Sequence, residues 1–139
     1  MYKTLKFIFI DVIRLNILET SENIIVTLSE KTTLGDDYYY LFVFEHQVTR
    51  EKVKIIIPMS SDLSDYPERF NEFTINPYDL FETVGWYLYR VYQQESSTNE
   101  DEDLTDGKVE NGKMYLAPDS EFSFDMNNEP TTFVVYDGR

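Results

Sequence analysis

The sequence predicts an all-β protein built as a single domain. Its 139 residues fall within the usual size range of one domain. Eleven Tyr, ten Phe and one Trp are spread over short apolar runs, and aromatic and β-branched side chains favour strands. Polar segments containing Gly, Pro, Asn or Asp separate these runs, as is typical of turns between strands. No run has the length and period of a long helix, although residues 78 to 82 have room for one helical turn.

The first half of the chain contains four predicted strands. Residues 5 to 18 are dense in β-branched and aromatic side chains and predict a long strand or an extended arm. Residues 23 to 29 predict a second strand. Residues 38 to 46 are apolar on both faces, which indicates a central strand. The fourth strand, residues 52 to 59, closes at Pro58 because proline cannot donate to an interior hydrogen-bond ladder.

The second half continues the same pattern. Residues 69 to 75 alternate in the manner of a strand, and residues 83 to 94 form the most aromatic run, which we expect in the core sheet. The acidic connection 95 to 107 then leads to a strand over residues 108 to 117, so that a long hairpin is the economical topology. Residues 132 to 136 predict the last strand.

These segments together predict one antiparallel β-sandwich, Ig-like or jelly-roll-like, of about seven to eight strands, with a partly closed barrel as the alternative. Residues 1 to 19 form an N-terminal strand or arm, and residues 20 to 139 form the sandwich domain. Asn111-Gly112 is either a hairpin turn or a bulge within one strand.

Charge and composition exclude several classes of protein. The net charge is -14, and it divides into -1 for residues 1 to 58 and -13 for residues 59 to 139. Such a field repels phosphate, so direct binding of nucleic acid is not expected. No window of about 20 apolar residues could span a membrane, and residues 3 to 18 are not followed by a signal-peptide cleavage site.

The residues also offer little for catalysis, and we expect no enzyme, no cofactor and no metal site. The chain has no cysteine and one histidine, His46, whose neighbour Glu45 points to the opposite face of the strand. The acidic run lacks calcium-loop spacing, because a loop begun at Asp101 would need glycine at Asp106 and glutamate at Gly112. A solvated loop explains these charges better.

The order of the motifs resembles that of small virion-associated structural proteins of tailed bacteriophages, notably crAss-like and other phages of Bacteroidetes hosts. The resemblance spans about residues 20 to 117 and is carried by the segments 23 to 34, 39 to 44, 69 to 73, 85 to 96 and 109 to 114. Residues 1 to 19 and the acidic insert at 100 to 103 depart from it.

The resemblance implies a non-enzymatic β-domain located in the virion. Its expected role is that of an auxiliary, or decoration, protein that binds the major capsid protein or other virion proteins in a symmetric multi-copy assembly. A neck or tail ring or adaptor component is the alternative. Because aromatic platforms also stack on sugars, a carbohydrate-binding module for host attachment is a third possibility.

The expected anchors to a partner are the aromatic and apolar side chains Phe7, Phe9, Ile13, Trp86 and Tyr92. Residues 5 to 18 could also add a strand to a neighbour's sheet, the mode called β-augmentation. Pairing of this segment within its own domain is equally compatible with the pattern.

Overall fold

A computed structural model describes residues 12 to 118. These residues contain seven strands, one short helix and two single 3₁₀ turns, and they confirm the all-β class. The strands are β1 (Val12–Asn16), β2 (Glu22–Val26), β3 (Tyr39–His46), β4 (Lys52–Pro58), β5 (Asn71–Ile75), β6 (Gly85–Gln94) and β7 (Lys108–Ala117), with helix α1 (Pro77–Leu80) between β5 and β6. The 3₁₀ turns are Met59–Ser61 and Glu102–Leu104. Within this part of the chain, no helix has the length and apolar character needed to cross a membrane.

Two sheets make up the fold. Five strands form the larger, curled sheet in the order β1-β7-β6-β3-β4, and β2 and β5 form a separate antiparallel pair. The large sheet is mixed, since β1 runs parallel to β7 with Ile13 opposite Met114. The prediction of a wholly antiparallel sheet is therefore wrong at β1. Two parallel neighbours need a long connection between them, and the chain from β2 to β6 provides it here. The predicted strand over residues 132 to 136 lies outside the described residues.

The core lies between the β2–β5 pair and the inner face of the large sheet. Phe73 of β5 packs edge-on against Phe42 of β3, with ring centroids 5.9 Å apart, and against Tyr40 at 6.0 Å. Phe81, just after α1, packs in the same way on Phe44 at 5.3 Å. These rings are buried, and β1 contributes its own buried side chains Ile13 and Leu15 to the same cluster. Interlocking aromatic rings thus join the two sheets.

The predicted positions of β3 and β6 are confirmed. β3 lies between β6 and β4, and β6 lies between β7 and β3. The predicted hairpin is also present, as β6 and β7 pair antiparallel on either side of the acidic connection. β7 continues through Asn111 and Gly112 without turning, and the irregularity in this pair falls at Val91/Tyr92. The turn interpretation of Asn111-Gly112 is wrong because β6 holds both residues in its ladder.

His46 holds the end of β3 in place through its ring nitrogens. Nδ1 accepts hydrogen bonds from the main-chain N–H groups of Val48 (3.1 Å) and Thr49 (3.2 Å), and Nε2 lies 2.9 Å from the carbonyl oxygen of Val84. This pattern fits the neutral ring with its proton on Nε2. The ring is 5% exposed and packs edge-on against Tyr87. Both nitrogens are thus engaged by the backbone of two adjoining loops.

Gly85 is required where β6 begins beside this histidine. Its φ of +122° is unfavourable for other residues, and a Cβ at this position would lie 3.1 Å from His46 Nε2. We expect Gly85→Ala to lower the free energy of unfolding by about 1 to 3 kcal/mol through backbone strain and crowding of the ring. Urea denaturation measures this difference.

Gly35→Ala is the matched control, because a Cβ at Gly35 would meet nothing within 4 Å. Its free energy of unfolding should stay within about 0.5 kcal/mol of the wild-type value. Equal effects of the two substitutions would contradict the role assigned to Gly85.

Candidate interaction surface

The outer face of the large sheet is closed over one half and open over the other. Leu41 and Val43 of β3 point to this face, since they alternate with the core residues Tyr40, Phe42 and Phe44, yet both are 0% exposed. The acidic connection between β6 and β7, residues 95 to 107, folds back along this face and is held there by side chains of β4 and β6. The predicted solvation of this loop is confirmed for most of its acidic side chains, which are exposed, while Glu102 and the carbonyl of Glu100 bind the sheet.

Glu102 anchors the acidic connection to the sheet. One carboxylate oxygen accepts hydrogen bonds from the hydroxyl of Tyr92 at 2.7 Å and from Nε of Arg90 at 3.2 Å. The other oxygen lies 3.2 Å from Nζ of Lys52. Arg90 also forms an ion pair with Glu45 at 3.3 Å. Glu102, Glu45, Arg90 and Lys52 thus form one network of ion pairs. Such networks contribute more to the stability of a fold than isolated surface pairs do.

The protonation states follow from this geometry. Burial alone would raise the pKa of Glu102, but the hydrogen bonds from Tyr92, Arg90 and Lys52 outweigh it and lower the pKa to about 2. Burial would lower the pKa of Arg90, but its bonds to Glu102 and Tyr92 and the charge of Glu102 raise it. Burial, together with donation to Glu102, raises the pKa of the Tyr92 hydroxyl. At neutral pH the network is therefore a charged carboxylate–guanidinium pair capped by a neutral phenol.

Main-chain carbonyls of the connection supply further contacts. Nζ of Lys54 donates to the carbonyl of Glu100 at 2.9 Å, and the amide of Gln94 donates to the carbonyls of Ser96 (3.0 Å) and Asn99 (2.9 Å). Among residues 12 to 118, no group of three or more His, Cys, Asp or Glu side chains could hold a metal ion. The acidic side chains of the connection therefore offer no assembled cation site in this part of the chain.

The open half of the outer face carries an aromatic pair. Trp86 of β6 lies opposite Tyr115 of β7, which in turn lies opposite Arg14 of β1. The two aromatic rings are 5.0 Å apart and tilted by 53°, and Trp86 is 41% exposed. In the next row Leu88, Lys113 and Val12 lie side by side. We call this set of six residues the Trp86 face.

The structure separates the residues predicted as anchors. Trp86 lies on the Trp86 face and is 41% exposed. Tyr92 lies beneath the acidic connection, where its hydroxyl binds Glu102. Ile13 is 5% exposed and packs in the core of its own chain, because it points to the inner face opposite Met114. Phe7 and Phe9 lie outside the described residues.

Sequence reasoning missed Arg14 and Tyr115 as members of the surface. Each lies in a predicted strand, so its outward position could have been read from the two-residue alternation. What the alternation could not supply is the register that places them beside Trp86. The parallel pairing of β1 with β7 sets this register, and the two strands are about 100 residues apart in the sequence.

A cleft of about 230 Å³ lies elsewhere, between β3 and the loop that precedes β5. Its principal polar groups already have partners within the chain. Asp62 accepts hydrogen bonds from the side chain of Asn71 at 2.7 Å and from the main-chain N–H groups of Ser64 and Glu72, each at 2.9 Å. Asn71 also accepts a bond from the N–H of Leu28 at 2.8 Å. These contacts hold the loop against β5, and the Trp86 face remains the better candidate for a function.

Acid should weaken the Glu102 network. The pKa of Glu102 in the folded chain, about 2, lies below its ordinary value of 4.5, so the network stabilises the fold above pH 4.5 and loses this contribution as the pH falls towards 2. We expect Glu102→Gln to lower the free energy of unfolding by about 1 to 3 kcal/mol at pH 7. The difference between variant and wild type should shrink towards zero near pH 2.

Urea denaturation of the variant and the wild type at a series of pH values measures this difference in the free energy of unfolding. The other carboxylates titrate in both proteins, so their effect cancels in the difference. Glu100→Gln, in the same connection, is the matched control, because Glu100 is bound through its main-chain carbonyl. This variant should match the wild type at every pH. A constant effect of Glu102→Gln between pH 7 and pH 2 would contradict the pKa assigned to Glu102.

Comparison with known proteins gives no relative from which a function could be taken. No protein-family model matches the sequence, and no curated protein and no solved structure is significantly similar to it. The functional interpretation therefore rests on the surface itself. The exposed Trp86 packs on the half-buried Tyr115, Arg14 and Lys113 lie beside Tyr115, and the chain's own acidic connection covers the other half of the sheet.

Proposed function

We propose that this chain is a non-enzymatic structural protein of a phage virion, an auxiliary (decoration) protein that binds the head shell through the Trp86 face. The observation that carries the proposal is the uncovered Trp86 beside Tyr115 and Arg14, on a sheet whose remaining outer face is covered. The assignment to a virion, with the major capsid protein as partner, is supported by the order of motifs along residues 20 to 117.

The mechanism is adhesion without chemistry. Trp, Tyr and Arg are the residues that most often dominate the binding energy of protein interfaces. Strands on both sides hold β6 and β7, so little conformational entropy is lost when the Trp86 face meets a partner. Arg14 and Lys113 suit an acidic patch on that partner, while the acidic connection suits neighbouring basic surface. Many copies on a symmetric shell would add avidity to a modest single contact.

Quantitative mass spectrometry of purified phage particles tests the location. A copy number equal to the number of shell positions, relative to the major capsid protein, supports decoration of the head. A ring-sized copy number would instead support the neck or tail alternative, and absence of the chain from particles would refute the virion assignment.

Trp86→Ala tests the contact surface. We expect the variant to fold and its copy number in particles to fall by about tenfold or more, because an exposed anchor is lost while the core is unchanged. Tyr78→Ala is the matched control, since Tyr78 is an exposed aromatic residue on α1 and is not one of the six residues of the Trp86 face. Normal incorporation of Trp86→Ala would show that another surface makes the contact.

Binding of carbohydrate is the second candidate, and the same aromatic pair favours it. Exposed Trp and Tyr rings on a sheet stack on the apolar faces of sugars. Trp86 is the only tryptophan in the chain, so its fluorescence reports directly on this surface. A saturable change on titration with capsular polysaccharide from the host, lost in Tyr115→Ala, would support attachment to glycans. An unchanged spectrum would leave protein adhesion as the function of this surface.

A further inference from the structure

β4 is an edge strand of the large sheet, and within residues 12 to 118 only β3 pairs with it. The N–H of Met59, just after the strand, donates to the carbonyl of Tyr38 at 3.1 Å. Because main-chain groups alternate along a strand, those of Ile55 also face β3, whereas those of Lys54 and Ile56 point away from it. Neither of these two outward N–H groups has a hydrogen-bond partner in the part of the chain that the structure describes.

The side chains of β4 leave this edge open. Proteins commonly protect an edge strand with charged side chains, above all lysine, that block the addition of a further strand. β4 has two lysines, but both bind the acidic connection: Nζ of Lys52 lies 3.2 Å from Glu102, and Nζ of Lys54 donates to the carbonyl of Glu100 at 2.9 Å. The other side chains of the strand are apolar, namely Val53, Ile55, Ile56, Ile57 and Pro58. The edge therefore suits another strand better than it suits water.

The pattern of β4 is complementary to itself in one antiparallel register. With Ile55 facing Ile55 of a second copy, Lys54 of each copy exchanges main-chain hydrogen bonds with Ile56 of the other. Each Lys54 side chain then lies opposite an isoleucine, and Pro58, which has no N–H, lies opposite Lys52 and only accepts. A register centred on Lys54 would instead set two lysines opposite each other, and one centred on Ile56 would set Lys54 opposite Pro58 and lose donors.

We propose that β4 pairs antiparallel with β4 of a second copy of this chain, about a two-fold axis at Ile55. Two five-stranded sheets thereby join into one continuous sheet. A second copy is the occupant that this edge fits, because a two-fold interface requires one surface to be complementary to itself. Apolar side chains meet on the inner face, where Val53 lies opposite Ile57 and the two Ile55 side chains meet on the axis.

The inference is independent of the proposed function, because it concerns the β4 edge and needs no capsid. The Trp86 face lies on β6, β7 and β1, so that β3 separates it from the β4 edge. The two-fold axis of an antiparallel strand pair runs perpendicular to the sheet, and the outer faces of both copies therefore point to the same side. A dimer would present two Trp86 faces to one partner surface, which adds avidity.

Charge gives this dimer a distinctive dependence on salt. Each chain has a net charge of -14, so two chains repel each other at low ionic strength. The interface itself consists of main-chain hydrogen bonds and apolar contacts, which salt does not screen. The dimer should therefore tighten as the salt concentration rises, whereas an interface held by ion pairs between the copies would weaken.

Analytical ultracentrifugation of the full chain tests the inference. At about 0.5 M salt, where the repulsion is screened, we expect the mass to rise towards twice that of the single chain between about 10 µM and 1 mM protein. Ile56→Lys should raise the dissociation constant of the dimer at least about tenfold, because it sets lysines opposite each other across the axis. Ile25→Lys is the matched control, since Ile25 is an exposed isoleucine of β2, in the other sheet, and the dissociation constant should stay within about twofold.

Hydrogen exchange in the wild type identifies the surface that pairs. Protection of the Lys54 and Ile56 amides should grow with protein concentration in step with the dimer, while the Phe42 amide at the sheet centre is protected throughout. A chain that stays monomeric at about 1 mM would overturn the inference. So would a dimer that leaves these two amides unprotected, since another surface would then pair, or protection that is independent of concentration, since the chain itself would then cover the edge. If Ile56→Lys also loses protection at Phe42, the exchange of the wild type decides.

Discussion

The fold depends on the need to cover β3 on both faces. Tyr40, Phe42 and Phe44 point inward, Leu41 and Val43 point outward, and all five are almost fully buried. A strand that is apolar on both sides is stable only between two layers, because each uncovered apolar face would cost roughly 25 cal/mol per Å² of exposed surface. The β2–β5 pair supplies the inner layer through Phe73, and the acidic connection supplies the outer one.

The outer layer is unusual because it is a loop rich in charge. A loop can cover an apolar strand only if its polar groups find partners. Glu102 does so through Arg90, Tyr92 and Lys52, and the carbonyl of Glu100 does so through Lys54. Three cations of β4 and β6, namely Lys52, Lys54 and Arg90, thus bind the connection, and its remaining acidic side chains are exposed to water. The high negative charge of the second half is therefore partly a structural feature.

This arrangement also defines the open surface. The acidic connection covers the part of the outer face around β3. It leaves uncovered the two rows of facing residues that begin at Trp86 and Leu88 of β6 and continue across β7 and β1. The parallel pairing of β1 with β7 brings Arg14 to this surface and places Ile13 in the core. The candidate site is thus a consequence of which half of the sheet the chain covers by itself.

The sequence by itself determined the all-β class, the central position of β3 and the place of β6 in the core sheet. These properties follow from local alternation and from the composition of short runs, which are visible in any one strand. The long-range pairings were decided only by the tertiary structure: the parallel β1–β7 pair, the separate β2–β5 sheet and the docking of the acidic connection. Tyr92 shows the physical reason, since an aromatic residue on a strand reads equally well as an exposed anchor or as a group buried under a loop. Tyr92 is half-buried, and its hydroxyl donates to Glu102, which is ten residues away along the chain but 2.7 Å away in space.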